Sequence, residues 1–133
     1  MKNLTYLFLA LGIVFLAACT AIVVVKPSEK AAGTYTGTYS FTGDTTVYAG
    51  ETPVTANGDN LVSIAPAGMT AIVYNVNVSL SGDNVIFSFS STSTTDGDVI
   101  SLTGTLVVKT LSFVATAYYS SGNTTVTFTG TKP

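Results

Sequence analysis

The sequence predicts an all-β fold, an antiparallel meander of about seven to eight strands that forms a small barrel or a sandwich after an N-terminal signal or anchor helix. Three observations support this prediction. From residue 33 onward, apolar and polar residues alternate with a period of two. Turn signals rich in Gly, Asn and Asp separate the alternating segments. A long apolar run, residues 4–25, precedes them.

The N-terminal segment has the order of a secretory signal. A short positive stretch, residues 1–3, is followed by the apolar run and then by small residues. The tetrapeptide Leu16-Ala17-Ala18-Cys19 resembles the lipobox of bacterial lipoproteins. This resemblance implies that the signal peptide, residues 1–18, is removed and that Cys19 carries a diacylglycerol. The membrane would then be a partner through this N-terminal lipid anchor.

A retained membrane helix is the alternative, because residues 4–25 are long enough to span a bilayer. The place of Cys19, directly after the apolar run and two small residues, favours the lipoprotein. Residues 19–32 are then expected to be the lipidated N-terminus and a solvated tether, in which Pro27 opposes a continuing helix or strand. Residues 33–133 are expected to be the β-domain.

The alternation predicts strands in chain order over residues 33–42, 70–81, 84–91, 99–108 and 124–132. Recurring turn signals separate them, and Gly82-Asp83 has the composition of a two-residue primed turn. The pair Lys109-Thr110 divides two alternating patterns without a turn residue. It predicts either a tight hairpin or a bend in one long strand.

One face of these strands carries the predicted core, which contains no acidic or basic side chain. Its members are Tyr35, Tyr39, Phe41, Ile72, Tyr74, Val76, Val78, Leu80, Val85, Phe87, Phe89, Ile100, Leu102, Leu106, Val108, Phe113, Val126 and Phe128. An eight-stranded barrel is just wide enough for its own side chains. We therefore expect a filled core, with Gly37, Gly104 and Gly130 relieving crowding.

Composition argues against several function classes. The sequence has no His, and Cys19 is its one cysteine, which excludes Ser-His, Cys-His and His-metal sites. We expect no catalytic residues, no metal and no cofactor, and hence no enzyme. Five lysines face seven acids and are scattered along the chain, so nucleic acid is not an expected partner.

Three short motifs each allow a functional interpretation. Asp96-Gly97-Asp98 could offer oxygens to Ca²⁺ but lacks the other ligands of an EF-hand, which favours a plain turn. Tyr118-Tyr119 places one tyrosine on each face of a strand, where packing is more common than sugar stacking. Asp44-Thr45-Thr46 resembles an acceptor for O-glycosylation in some bacteria.

A second resemblance concerns the two ends of the β-domain. The opening residues 33–39, GTYTGTY, and the closing residues 126–131, VTFTGT, are similar to those of calycin-like (lipocalin-like) β-barrel lipoproteins of Gram-negative bacteria. This similarity implies a closed antiparallel barrel and lends no catalytic residues.

The expected function is that of a lipid-anchored, extracytoplasmic β-domain of the bacterial cell envelope. We expect an outer membrane lipoprotein that faces the periplasm or the surface. Its role would be structural or interactive, with an envelope protein as partner. The alternative is a calycin-like binder of a small apolar ligand.

Overall fold

The structure, a computed structural model, describes residues 21–133, so Cys19 and the predicted signal peptide lie outside the described residues. It confirms the all-β prediction with eight antiparallel strands and one short helix. The elements are α1 (Pro27–Ala31), β1 (Gly33–Phe41), β2 (Tyr48–Ala56), β3 (Leu61–Ile64), β4 (Val73–Ser81), β5 (Asn84–Ser90), β6 (Val99–Val107), β7 (Thr110–Ala117) and β8 (Thr124–Thr131).

In residues 21–133, no helix has the length and apolar character needed to cross a membrane.

The strands close into a barrel rather than stacking as a sandwich. Each strand pairs with its neighbour in sequence, and β8 returns to pair with β1. At this closure Gly37 lies opposite Gly130, and a Cβ on Gly37 would collide with the carbonyl oxygen of Thr129. The small residues therefore allow the first and last strands to approach closely.

The barrel interior is filled by side chains, as expected. The rings of Phe113 and Phe128 stack with centroids 5.1 Å apart, and a Cβ on Gly104 would lie 2.7 Å from the Cβ of Phe113. Large side chains that are less than 2% exposed include Tyr35, Ile64, Val76, Val85, Phe87, Leu102, Leu106, Leu111, Val126 and Phe128. Because these side chains have almost no surface accessible to water, the interior contains no large ligand cavity beside them.

The prediction that Ile72 and Tyr74 point inward is wrong. Their side chains are 49% and 61% exposed, whereas Val73 and Val76 are buried. The cause is a β-bulge: Asn75 adopts a φ of +57°, and the pairing of β3 with β4 shifts register there. A bulge inserts one residue and so reverses the inward and outward parity of everything before it.

A second β-bulge lies at the start of β6. The pairing with β7 shifts between Val99 and Ser101, so that Val99 is buried and the predicted core residue Ile100 is only half-buried.

Two other predicted core residues lie at hairpins. Val108 is 81% exposed, because it begins the two-residue turn that joins Val107 to Thr110. The question raised by Lys109-Thr110 is thus resolved as a tight hairpin. Leu80 keeps the inward parity of its strand, but it lies next to the Gly82-Asp83 turn and is 43% exposed.

The expected tether contains α1, which packs on the barrel. Pro27 occupies the first turn of this helix, where its missing N–H is not needed, and Ser28 and Ala31 are buried. The Tyr35 hydroxyl donates to the Ala31 carbonyl at 2.7 Å. Lys132 Nζ donates to the carbonyls of residues 30 and 32 at 2.7 and 2.9 Å. Residues 27–31 therefore belong to the folded domain.

The meander gives the barrel two unlike ends. We call one the helix end, formed by α1, the loop at residues 57–60 and the turns at residues 82–83 and 108–109. The other is the loop end, formed by the longer connections at residues 42–47, 65–72, 91–98 and 118–123.

Candidate functional site

The barrel wall is open between β4 and β5 near the loop end. Pairing of these strands stops at Asn77 and Ser88. Beyond that point β4 still pairs with β3 as far as Val73, and β5 still pairs with β6 as far as Ser90. Among the described residues, no strand pairs with residues 73–76 on the side that faces β5. We call this opening, between residues 71–76 and residues 89–91, the seam.

The bulge at Asn75 produces the seam. A left-handed residue turns the strand away from its neighbour, and asparagine adopts this conformation more readily than other non-glycine residues. One consequence is a row of backbone groups on β4 without a partner strand. Such a row is a template for another extended chain.

The seam contains a cavity of about 350 Å³. Its lining surface is about equally polar and apolar, with hydroxyl and carboxylate groups at one side, and consists of Ala71, Ile72, Val73, Tyr74, Phe89, Ser91, Asp98 and Val99. The Asp98 carboxylate accepts a hydrogen bond from Ser93 Oγ at 2.6 Å. The charge is therefore held at the edge of the seam by the loop between β5 and β6.

A second concavity, of about 450 Å³, lies on the outer face of β2, β3 and β4. Ile72 and Tyr74 line both concavities, so the two exposed side chains form a ridge between them. Pro53 and Ala65 add apolar surface on the far side. An exposed apolar patch bordered by polar groups is typical of a binding surface.

A larger surface depression, of about 540 Å³, lies on the part of the barrel wall formed by β5 to β8. Its lining, residues 86–88, 103–105, 112–114 and 127–129, comes from four adjacent strands, and β1 to β4 contribute nothing. It is therefore a depression in one wall and not the barrel lumen.

The structure directs the two acids of the Asp96-Gly97-Asp98 turn to different partners. The Asp96 carboxylate accepts hydrogen bonds from the Ser120 amide at 2.8 Å and from Ser120 Oγ at 3.2 Å, while Asp98 bonds Ser93. Within residues 21–133, no three His, Cys, Asp or Glu side chains come together as metal ligands. The turn thus joins the loops at residues 91–98 and 118–123.

The loop end also carries an aromatic cluster that the sequence reasoning found only in part. The rings of Tyr39 and Tyr48 stack with centroids 5.3 Å apart, and Phe41 packs edge-on against Tyr39. The Tyr48 hydroxyl donates to Asp44 at 2.9 Å. The hydrogen bond from the Thr46 amide, and then this bond from Tyr48, lower the pKa of the Asp44 carboxyl. Tyr48 was missed because alternation is weak in β2.

Tyr118 is half-buried and Tyr119 is 37% exposed. The expectation that they lie on opposite faces of a strand is wrong, because β7 ends at Ala117 and both tyrosines lie in the connection that follows it.

The fold defines a class, the eight-stranded closed antiparallel barrel. No protein family model and no curated protein matches the chain. Among solved structures, the chain is similar to a candidate outer membrane protein from Bacteroides fragilis, with a TM-score of 0.59 and 17% sequence identity. The match covers 83% of this chain and 54% of that one, so the chain spans about half the length of its structural neighbour. At this identity the likeness concerns the fold alone.

Proposed function

We propose that the protein is a lipid-anchored, extracytoplasmic β-barrel of the bacterial cell envelope that binds an envelope protein at the seam and has no catalytic activity. The lipobox at Cys19 supports the anchor. The fold of the outer membrane candidate from Bacteroides fragilis supports the location in the outer membrane.

The unpaired edge of β4 is the observation that carries the interaction role. Residues 73–76 present backbone groups that β5 does not use. An extended segment of a partner can add to such an edge, taking affinity from main-chain hydrogen bonds and specificity from side-chain pockets. The ridge of Ile72 and Tyr74 supplies the apolar contact. Asp98 at the seam favours a partner segment that carries a lysine or a hydroxyl.

Carriage of a small ligand has less support, because the interior is filled by its own side chains. The seam cavity of about 350 Å³ lies at the lower end of the range for ligand pockets. A small apolar ligand in the seam is therefore the competing outcome of the test below.

A photo-cross-linker at the seam tests the interaction role in the full-length protein in its own cells. With benzoylphenylalanine at Tyr74 we expect one discrete protein adduct, reduced about tenfold by Ile72→Glu, since burying an unpaired charge costs more than 1.4 kcal/mol. Val114, also exposed but on the opposite wall, is the matched control position. Equal adducts at both positions, or an adduct with a lipid-sized molecule only, would contradict the proposal.

The anchor is tested separately by mass spectrometry of the membrane fraction. We expect a chain that starts at Cys19 and carries acyl groups, and we expect Cys19→Ser to release the protein from the membrane. A mature chain that retains Met1 would instead support the membrane helix.

A further inference from the structure

Charge is unevenly divided between the two ends of the barrel. Every lysine of residues 21–133 lies at the helix end: Lys26, Lys30, Lys109 and Lys132. The carboxylates of that end are Glu29, Asp59 and Asp83. The loop end carries no lysine, and its carboxylates are Asp44, Asp96 and Asp98. Lys26 and Asp59 form an ion pair at 2.9 Å. The lysines of the helix end thus outnumber its side-chain carboxylates by one, whereas the loop end is negative.

The helix end also carries exposed apolar side chains. Val107 and Val108, in the hairpin of β6 and β7, are 46% and 81% exposed, and Leu80 of the adjacent hairpin is 43% exposed. Lysines that flank apolar side chains are typical of surfaces that rest on anionic bilayers.

The backbone conformation of Val108 is energetically unfavourable for a valine. Its φ is +58°, a conformation that β-branched residues rarely adopt. The neighbouring turn of the same end places Gly82 at a φ of +61°. Since a glycine or asparagine would relieve the strain, the fold alone does not explain an exposed valine there. Strained residues of this kind are often found where function requires the side chain.

The chain leaves the barrel at the same end. Residues 22–25 are apolar and exposed, with Ile22 at 91% and Val25 at 52%. The seven residue steps from Cys19 to Lys26 reach at most about 25 Å when fully extended. An anchor on Cys19 would thus keep the helix end close to the bilayer.

We propose that the helix end rests on an anionic lipid bilayer, with Lys30 and Lys109 at the headgroup phosphates and the side chain of Val108 in the acyl boundary. This proposal rests on the proposed lipid anchor. It directs the negative loop end and the seam away from the membrane, toward a partner.

Fluorescence quenching in vesicles tests this orientation. The lipidated full-length protein is reconstituted in phosphatidylethanolamine and phosphatidylglycerol that contain a lipid-borne doxyl quencher. Because lipidation consumes the Cys19 thiol, Val108→Cys has a single free thiol for an environment-sensitive label. The matched control is Asn123→Cys, which lies exposed in a turn of the loop end.

We expect quenching at position 108 to exceed that at position 123 by about fivefold, because an interfacial side chain lies ~5–10 Å into the headgroup and acyl boundary. A label at Leu80→Cys, in the adjacent hairpin, should show intermediate quenching. This variant keeps the orientation testable if Val108→Cys disturbs its own hairpin. Equal quenching at the two ends, with one label per chain, would overturn the orientation alone. A second label on Cys19 would show that the anchor is absent and would overturn both proposals.

Discussion

The helix end and the loop end close the same barrel in different ways. At the helix end, two two-residue turns join neighbouring strands tightly. The helix α1 covers the opening and is held there by hydrogen bonds from the Tyr35 hydroxyl and Lys132 Nζ to its carbonyls. At the loop end, longer connections fold over the opening and leave the seam uncovered. The two short turns thus belong to the end that α1 covers, and the long connections to the end that carries the seam.

The loop at residues 65–72 packs over the opening at the loop end. Ala67 is buried, and its amide donates to Oγ1 of the fully buried Thr52 at 3.1 Å. The Tyr39 ring lies between Gly50 and Gly68. The loop is therefore a packed lid whose position depends on two residues without side chains.

Gly68→Val should produce the largest loss of stability at the loop end. Gly68 has a φ of +81°, and a Cβ there would collide with the Tyr39 ring. Backbone strain and overpacking together should lower the free energy of unfolding by about 3 kcal/mol or more. Urea denaturation followed by circular dichroism measures the change.

Gly43→Val is the matched control. Gly43 has a similar φ of +86° but no atom within 4 Å of its Cβ position. It should therefore show the strain alone, about 1 kcal/mol. Equal losses in the two variants would mean that the lid is not packed on Tyr39.

Alkaline pH should loosen the helix end before the loop end. Burial raises the pKa of Tyr35 from 10.0 to about 12. The folded protein thus keeps the phenol proton that the unfolded chain loses. Stability is full below pH 10 and falls as the pH rises from 10 to about 12, by up to roughly 2–3 kcal/mol.

Tyr35→Phe should flatten this pH dependence and, at neutral pH, cost about 1 kcal/mol for the lost bond to Ala31. Lys132 acts in the opposite direction, because burial and the charge of Lys109 lower its pKa, so that loss of its proton favours the folded state. The exposed Tyr74→Phe is the control. Melting temperatures between pH 8 and pH 12 that do not differ between Tyr35→Phe and the wild type would contradict this role of the hydroxyl.

Substitutions in the two turns of the helix end should change the stability of the barrel in opposite directions. Gly82→Val should destabilise the barrel by about 1 kcal/mol or more, and Val108→Gly should stabilise it by about 1 kcal/mol, because both positions have a positive φ. Thermal melts of the two variants measure both changes. Destabilisation by Val108→Gly would show that the valine side chain packs within the domain.

The strands with unbroken alternation were predictable from the sequence, because a one-face core requires a period of two. In β5 and β8, Val85, Phe87, Val126 and Phe128 are buried as expected. The hairpin at Gly82-Asp83 was predictable for a similar reason, since its turn chemistry is local.

The bulges were not predictable in the same way. At residues 71–74 four apolar residues follow one another, so either parity fits, and the alternation after Asn75 was extended backward across the bulge. The seam was therefore not predicted, because it results from the bulge at which the inward and outward parity of β4 changes. The helix α1 was missed because its position depends on Lys132, about one hundred residues away in the chain.

The pairing of β1 with β8 has a consequence for the order of folding. Thr36 pairs with Thr131, and α1 is held by Lys132, so neither end of the chain reaches its final place alone. The inner hairpins can form as soon as they emerge, because their contacts are local. The barrel wall, however, stays open until β8 has been made. A lipid attached at the N-terminus would then hold one half of the final junction at the membrane while it waits for the other.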